Sequence, residues 1–140
     1  MVTQTMTVKA AIDRLPSVKQ FLDEAVGPEF RFLLPKVELA VEELLVNTAG
    51  YAYGGSEGEA EISCGQISFD GRPYLKISLR DWGRPFDPFG QAPEPDTAAD
   101  LSARPVGGLG VFLVKKLVSH YYYEYDGTNR IELFFGPPDI

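Results

Sequence analysis

The sequence predicts an α+β fold: a two-layer sandwich in which a mixed, mostly antiparallel sheet is covered on one face by about three helices. The first observation is an amphipathic helix, since residues 37–53 place apolar side chains at three- and four-residue steps. The second is a hairpin, since two alternating segments flank Asp70-Gly71. The third is that a further helical segment and another strand pair follow them.

Composition narrows the class of protein. The 140 residues, 1–140, fit a single domain, which can bury enough surface to fold without a disulfide or a structural metal. Cys64 is the only cysteine, and the chain has no signal peptide and no long apolar run, so we expect a cytoplasmic protein without a membrane segment. The net charge of −7 argues against binding a nucleic-acid backbone. A single histidine excludes a multi-histidine metal centre.

The N-terminal part predicts one strand and one helix. Residues 2–9 alternate in the manner of a half-buried strand. From Asp13 to Val26 the apolar spacing becomes helical, with Asp13 as the candidate cap and Gly27-Pro28 as the stop.

The central helix carries an unusual polar pair. Pro35 suits its first turn, where a missing N–H has no consequence. Glu43 and Asn47 are four residues apart, so they lie on the same side of the helix, beside its apolar stripe. A carboxamide and a carboxylate in this arrangement suit a metal-bound phosphate and an attacking hydroxyl. The alternative is an ordinary half-exposed polar border.

The hairpin strands place a carboxylate toward the core. Ala60, Ile62 and Cys64 share one parity, and a change of parity at Gly65 predicts a bulge. In the second strand Leu75, Ile77 and Leu79 share a face, and continuing the alternation puts Asp81 on it. Such a carboxylate needs hydrogen-bond donors, either from its own turn or from an amino group on a buried planar ligand.

Residues 84–106 have no periodicity and are rich in proline, alanine and acidic residues, which is typical of a lid or binding loop. Gly107-Gly108-Leu109-Gly110 then opens a helix, with Leu109, Phe112, Leu113 and Leu117 predicted on its apolar face. Backbone N–H groups at such a helix start can bind an anion. The alternative is a flexible joint.

The chain ends with a second strand pair. Tyr121, Tyr123 and Tyr125 alternate on one strand, where packing is a better explanation than recognition. A turn at residues 126–129 leads to a last strand with Ile131, Leu133 and Phe135 on one face.

These motifs, in this order, resemble the ATP-binding fold shared by gyrase, histidine kinases and MutL, the Bergerat fold. More narrowly, the run Asp-x-Gly-x-Pro-Phe-Asp-Pro from Asp81 and the run Gly-Gly-Leu-Gly-Val-Phe-Leu-Val from Gly107 resemble the bacterial anti-sigma-factor serine/threonine kinases. The resemblance covers nearly the whole chain, and it implies that the helical and sheet layers enclose an ATP site.

The resemblance also implies roles for individual residues. Asn47 matches the Mg²⁺-ligating asparagine, and Glu43 matches the carboxylate that acts as general base. Asp81 matches the aspartate that accepts a hydrogen bond from the adenine amino group, and Gly83 matches the glycine that lets the base approach. One departure is Tyr51, which stands where the family often has histidine.

The rest of the implied site is the ATP lid, at about residues 84–106, and the phosphate-binding turn. Gly108 and Gly110 match the glycines whose backbone lines the phosphates, and Arg104 is a loose match to a basic residue near the terminal phosphate. The residues that the resemblance places around the nucleotide are Asn47, Asp81, Gly83, Phe86, Arg104, Gly107, Gly108, Leu109 and Gly110.

The resemblance implies an ATP- and Mg²⁺-dependent kinase that phosphorylates a serine or threonine of a small antagonist protein. It also implies partner-switching control of transcription, with a sigma factor as the other partner, and a possible homodimer. Keeping both Glu43 and Asn47 favours an enzyme. The alternatives are a module of the same fold that binds a nucleotide or a protein without transferring phosphate, and a sensor-kinase fragment, against which the lack of a phosphoacceptor helix argues.

Overall fold

The computed structural model describes residues 3–91 and 108–136, and it confirms the predicted α+β sandwich. The described strands form a five-stranded sheet in the order β1-β2-β3-β5-β4, and all four pairings are antiparallel. The strands are β1 Gln4–Lys9, β2 Glu59–Phe69, β3 Arg72–Asp81, β4 His120–Tyr125 and β5 Asn129–Phe135. The helices are α1 Leu15–Ala25, α2 Leu34–Asn47, α3 Pro88–Gln91 and α4 Gly108–Leu117.

The core lies between the helices and one face of the sheet. Strands β2, β3 and β5 bury alternate side chains on that face, as the period of two requires. Helix α2 supplies the opposing layer, and its Val37, Val41 and Leu44 are completely buried. The apolar stripe of the central helix is therefore confirmed, and this helix contacts both α1 and α4.

The ends of the N-terminal helices differ from the sequence prediction. Asp13 does not cap α1, because it lies within a 3₁₀ turn, Ile12–Arg14, that precedes the helix. The N-cap residue of α1 is Arg14, and its side chain makes no capping hydrogen bond. Helix α2 begins at Leu34 with Pro35 in its first turn, as predicted. It continues into a π-helical turn, Thr48–Ala52, which the 3.6-residue pattern could not reveal.

The hairpin turn is confirmed, whereas the bulge is not. Asp70 and Gly71 both have positive φ, 50° and 75°, as a type I′ turn requires. The pairing of β2 with β3 runs without interruption from Ala60↔Asp81 to Phe69↔Arg72. The predicted bulge at Gly65 is therefore wrong: Ile67 and Phe69 lie on the face of the sheet opposite to Ala60, Ile62 and Cys64, and the Phe69 ring packs edge-on against Tyr74 and Phe134 there.

Two predictions about residues 84–117 need correction. The segment that was predicted to lack structure contains the short helix α3, and residues 92–107 lie outside the described residues. Helix α4 forms, but it buries Val111 and Val114, while Phe112 and Leu113 are exposed. Of the other two residues predicted on the apolar face, Leu117 is half-buried and the side chain of Leu109 lies outside the described part of the chain. Residues 111–114 are all apolar, so their spacing alone could not select the face that packs on α2.

The predicted tyrosine strand is β4, at the edge of the sheet. Tyr123 is half-buried, and Tyr121, although 45% exposed, packs on the Phe89 ring with centroids 4.3 Å apart, whereas Tyr125 is 45% exposed. The predicted final strand is β5, and its Ile131, Leu133 and Phe135 belong to the core.

In the part of the chain that the structure describes, no helix combines the length and apolarity needed to cross a membrane.

Candidate functional site

The Asp81 carboxylate lies at the end of β3, on the core face, where the strand alternation predicted it. It is 5% exposed, and its Oδ1 accepts hydrogen bonds from the Gly83 N–H at 2.9 Å and from Asn129 Nδ2 at 2.8 Å. The nearby Thr48 hydroxyl also lowers the pKa of Asp81. Burial raises the pKa of Asp81, and these hydrogen bonds oppose the rise. The site thus holds a buried carboxylate that needs hydrogen-bond donors to stay ionised.

Asn129, the first residue of β5, is a site residue that the sequence analysis missed. It is buried, and it faces Asp81 across the sheet because the two residues are register partners. The sequence prediction placed it in the turn at residues 126–129. The signal that could have found it is parity, since Asn129 shares a face with the apolar Ile131 and Leu133.

Gly83 packs directly against the end of the central helix. A Cβ at this position would lie 2.6 Å from the carbonyl oxygen of Ala52, so no larger residue fits without moving the backbone. The N–H of the next residue, Arg84, donates to the same carbonyl at 3.0 Å. Gly83 therefore joins the Asp81 turn to the π-helical turn, in addition to any role beside a ligand.

The departure at Tyr51 has a structural explanation. Its ring stacks on Phe86 with centroids 4.7 Å apart and planes 10° from parallel. Its carbonyl accepts a hydrogen bond from Arg84 Nε at 2.9 Å. Tyr51 thus fastens the segment after Asp81 to the end of the helical layer. The Phe86 N–H donates to Asn129 Oδ1 at 3.0 Å, and Tyr51 covers one face of the Phe86 ring.

Glu43 lies against the first turn of α4. A Cβ built on Gly110 would overlap the Glu43 carboxylate, lying 2.5 Å from its Cδ, and the three nearest atoms all belong to Glu43. Burial, and secondarily the charge of Glu42, raises the pKa of Glu43. The fold therefore places the candidate general base at the glycine-rich helix start, and its raised pKa makes it a stronger proton acceptor.

Asn47, one helical turn after Glu43, is 2% exposed, and its Nδ2 has no hydrogen-bond partner among the described residues. An unpaired buried donor costs about 1–3 kcal/mol, which a ligand with acceptor oxygens could offset. The carboxamide also has an oxygen, a ligand type that Mg²⁺ accepts. Within residues 3–91 and 108–136 no group of three or more His, Cys, Asp or Glu side chains could hold a metal ion. The Asn47 carboxamide thus offers an oxygen of a type that fits Mg²⁺ and an unpaired donor that fits a phosphate oxygen.

These features lie close together because α2 and its π-helical extension connect them. Glu43 meets α4, Asn47 follows one turn later, and Thr48 lies near Asp81. At 1.5 Å of rise per residue, the axis distance from Glu43 to Thr48 is about 7 Å. Gly108 and Leu109 begin α4, next to Gly110. The predicted site residues Arg104 and Gly107 lie outside the described residues.

The contact between Glu43 and Gly110 predicts an energetic coupling. Alanine at position 110 should gain about 1 kcal/mol of helix propensity, but it requires the Glu43 carboxylate to move. We therefore expect Gly110→Ala to raise the free energy of unfolding more in a Glu43→Ala background than in the wild type. Urea denaturation of the four proteins measures the difference, and purely additive effects would contradict the contact.

The raised pKa of Glu43 predicts a pH-dependent stability difference. Above that pKa the folded protein bears the cost of a partly buried charge, whereas Glu43→Gln does not. We therefore expect the variant to have the higher Tm at neutral pH. As pH falls through the raised pKa toward 4.5, the wild type takes up the proton and the difference shrinks. A Tm difference that stayed constant from pH 8 to pH 4 would refute the shift.

In a comparison with known families, residues 4–134 match the histidine kinase-like ATPase domain. The match runs from the first residue of β1 to the penultimate residue of β5 and includes Asp81, Asn47 and α4. Comparison with curated proteins finds no match.

Proposed function

The chain belongs to the histidine kinase-like ATPase family, and from this premise we propose that it is an ATP-dependent protein serine/threonine kinase. Family membership supports ATP binding in general. The transfer of phosphate and the protein substrate are the more specific parts of the proposal: the described site supports the transfer, and the likeness of the runs at Asp81 and Gly107 supports the protein substrate.

The observation that carries the proposal is the position of Glu43 against Gly110. A nucleotide-binding module needs donors for phosphate but no base. Here a carboxylate with a raised pKa lies at the helix start whose N–H groups suit phosphate, one turn from the unpaired amide of Asn47. These are the parts that phosphoryl transfer requires: phosphate positioning, charge neutralisation and an acceptor for the hydroxyl proton.

We assign the adenine end of the nucleotide to Asp81. Its carboxylate is buried among donors at the end of β3, and an exocyclic amino group would supply one more. The phosphates would then run along the α2 side toward Gly108 and Gly110, where backbone N–H groups are available.

In the proposed reaction, the hydroxyl oxygen of the substrate serine or threonine attacks the γ-phosphorus. The bond from that phosphorus to the β,γ-bridging oxygen breaks, ADP leaves, and Glu43 takes the hydroxyl proton. Asn47 would hold Mg²⁺ through its amide oxygen; when bound, the ion would neutralise phosphate charge, which matters beside Glu43 and in a chain of net charge −7.

For the biological role we propose partner switching: the kinase would phosphorylate a small antagonist protein and bind a sigma factor in its other state. This part rests on the likeness of the runs at Asp81 and Gly107 to anti-sigma-factor kinases.

A transfer experiment tests the proposal. The protein is incubated with γ-labelled ATP, Mg²⁺ and each small antagonist-domain protein of the source genome. We expect one of them to become labelled on a serine or threonine, and no label when Mg²⁺ is chelated. ATP binding without labelling of any of these proteins, by a folded protein, would indicate the non-catalytic binding module instead.

A further inference from the structure

We infer that Asn129 is a specificity-determining positioning residue, which orients Asp81 so that the site selects a 6-aminopurine over a 6-oxopurine. The inference rests on the proposed function, because it concerns the same nucleotide site. Asn129 is 2% exposed and lies directly opposite Asp81 in the pairing of β3 with β5. Its side chain is therefore fixed in place by the sheet rather than by a loop.

The carboxamide of Asn129 uses its full hydrogen-bonding capacity. Nδ2 donates to Asp81 Oδ1 at 2.8 Å and to the Arg84 carbonyl at 2.8 Å. Oδ1 accepts from the Phe86 N–H at 3.0 Å and from the Tyr123 hydroxyl. With two donors and two acceptor positions all paired, the amide has one consistent orientation.

This orientation limits what Asp81 can still accept. An ionised carboxylate offers about four lone-pair positions. Asn129 Nδ2 and the Gly83 N–H both donate to Oδ1 and occupy two of them. The carboxylate therefore cannot rotate freely, and Oδ2 is the oxygen that remains for a ligand donor.

Asn129 also fixes the backbone that follows Asp81. Its bonds to the Arg84 carbonyl and the Phe86 N–H hold the start of the segment that leads into α3. The Asn129 side chain thus sets the direction of the remaining acceptor oxygen of Asp81. It also sets the position of the neighbouring segment, whose Phe86 ring stacks on Tyr51.

A single fixed acceptor discriminates between purines. The 6-amino group of adenine donates a hydrogen bond, whereas the 6-oxo group of hypoxanthine would place an acceptor against a carboxylate. A site built to bond one donor rejects an analogue that lacks it, because its own buried group is left unpaired. Without Asn129 the Asp81 carboxylate could rotate. The preference for ATP over inosine triphosphate should therefore fall more than the affinity for ATP itself.

The test is the ratio of the Kd values for inosine triphosphate and ATP, measured by titration calorimetry. We expect the wild type to prefer ATP by about 10- to 100-fold. In Asn129→Ala we expect this ratio to fall at least about 5-fold, since the loss of one charge-assisted bond permits that much. A merely structural role would weaken both ligands equally and leave the ratio unchanged.

Thr128→Ala is the matched control, because it removes only the exposed hydroxyl bond to Asp126 in the adjacent turn, keeps the backbone N–H bond to the same carboxylate, and should keep the wild-type ratio. Circular dichroism establishes that each variant is folded. If Asn129→Ala does not fold, Asn129→Ser, which keeps a small polar group, is measured in its place. An unchanged ratio in a folded Asn129 variant overturns the inference. A wild type that binds both nucleotides equally would instead contradict the proposed role of Asp81.

Discussion

Asp81→Asn is expected to lower the affinity for ATP about 10- to 100-fold, because the adenine amino group loses its charged acceptor. Titration calorimetry with ATP and Mg²⁺ measures the loss. The free energy of unfolding of the Asp81→Asn variant should equal or exceed that of the wild type at neutral pH. The asparagine oxygen can still accept from Gly83 and Asn129, and the substitution removes a charge whose burial raises the pKa of Asp81.

Asp70→Asn is the control for this variant. It makes the same chemical change in the exposed hairpin turn, at a position with φ of 50° that asparagine tolerates. We expect it to bind ATP like the wild type. If Asp81→Asn bound ATP with unchanged affinity, the adenine end of the proposed site would be wrong.

Glu43→Gln is expected to lower the rate of phosphate transfer by about 10²- to 10⁴-fold while leaving the Kd for ATP nearly unchanged. The amide keeps the shape of the side chain against Gly110 but cannot take up the hydroxyl proton. Single-turnover transfer to the labelled antagonist and calorimetric binding of ATP separate the two effects.

Glu42→Gln provides the matched comparison, since it makes the same change at the neighbouring residue, whose charge only contributes to the raised pKa of Glu43. We expect a small effect on transfer, with the acid limb of the pH–rate profile moving to lower pH as the pKa of Glu43 falls. If the transfer rate fell equally in Glu43→Gln and Glu42→Gln, net charge, and not a base at position 43, would control phosphate transfer.

Most of the fold follows from local patterns. The apolar stripe of α2, the Asp70-Gly71 turn and the alternation of β3 were sufficient to predict the helix, the hairpin and the inward direction of Asp81. The face of α4 was not predictable, because residues 111–114 are all apolar and acquire their orientation only from packing on α2. A change of apolar parity at Gly65 likewise has two explanations, a bulge or apolar side chains on both faces of the sheet, and only the observed register selects the second.

In the candidate site, local periodicity was sufficient to predict the directions of Glu43, Asn47 and Asp81, whereas their proposed roles come from the family resemblance. Asn129 was not found because its importance comes from register with a distant strand: it pairs with Asp81 only once β5 lies beside β3. The close contacts of Gly83 with Ala52 and of Tyr51 with Phe86 depend on the π-helical turn, for which the sequence has no simple signal.

The central claim is that one nucleotide spans from Asp81 to Asn47 and the start of α4. Its most direct measurement is a titration with ATP and Mg²⁺ followed by nuclear magnetic resonance of the Gly83 and Gly110 amides and the Asn47 side-chain amide. We predict that all three signals shift with one common Kd, while the amide of Ser78 in the middle of β3 does not. Shifts confined to other parts of the molecule, or different Kd values for the Gly83 and Gly110 signals, would contradict the account.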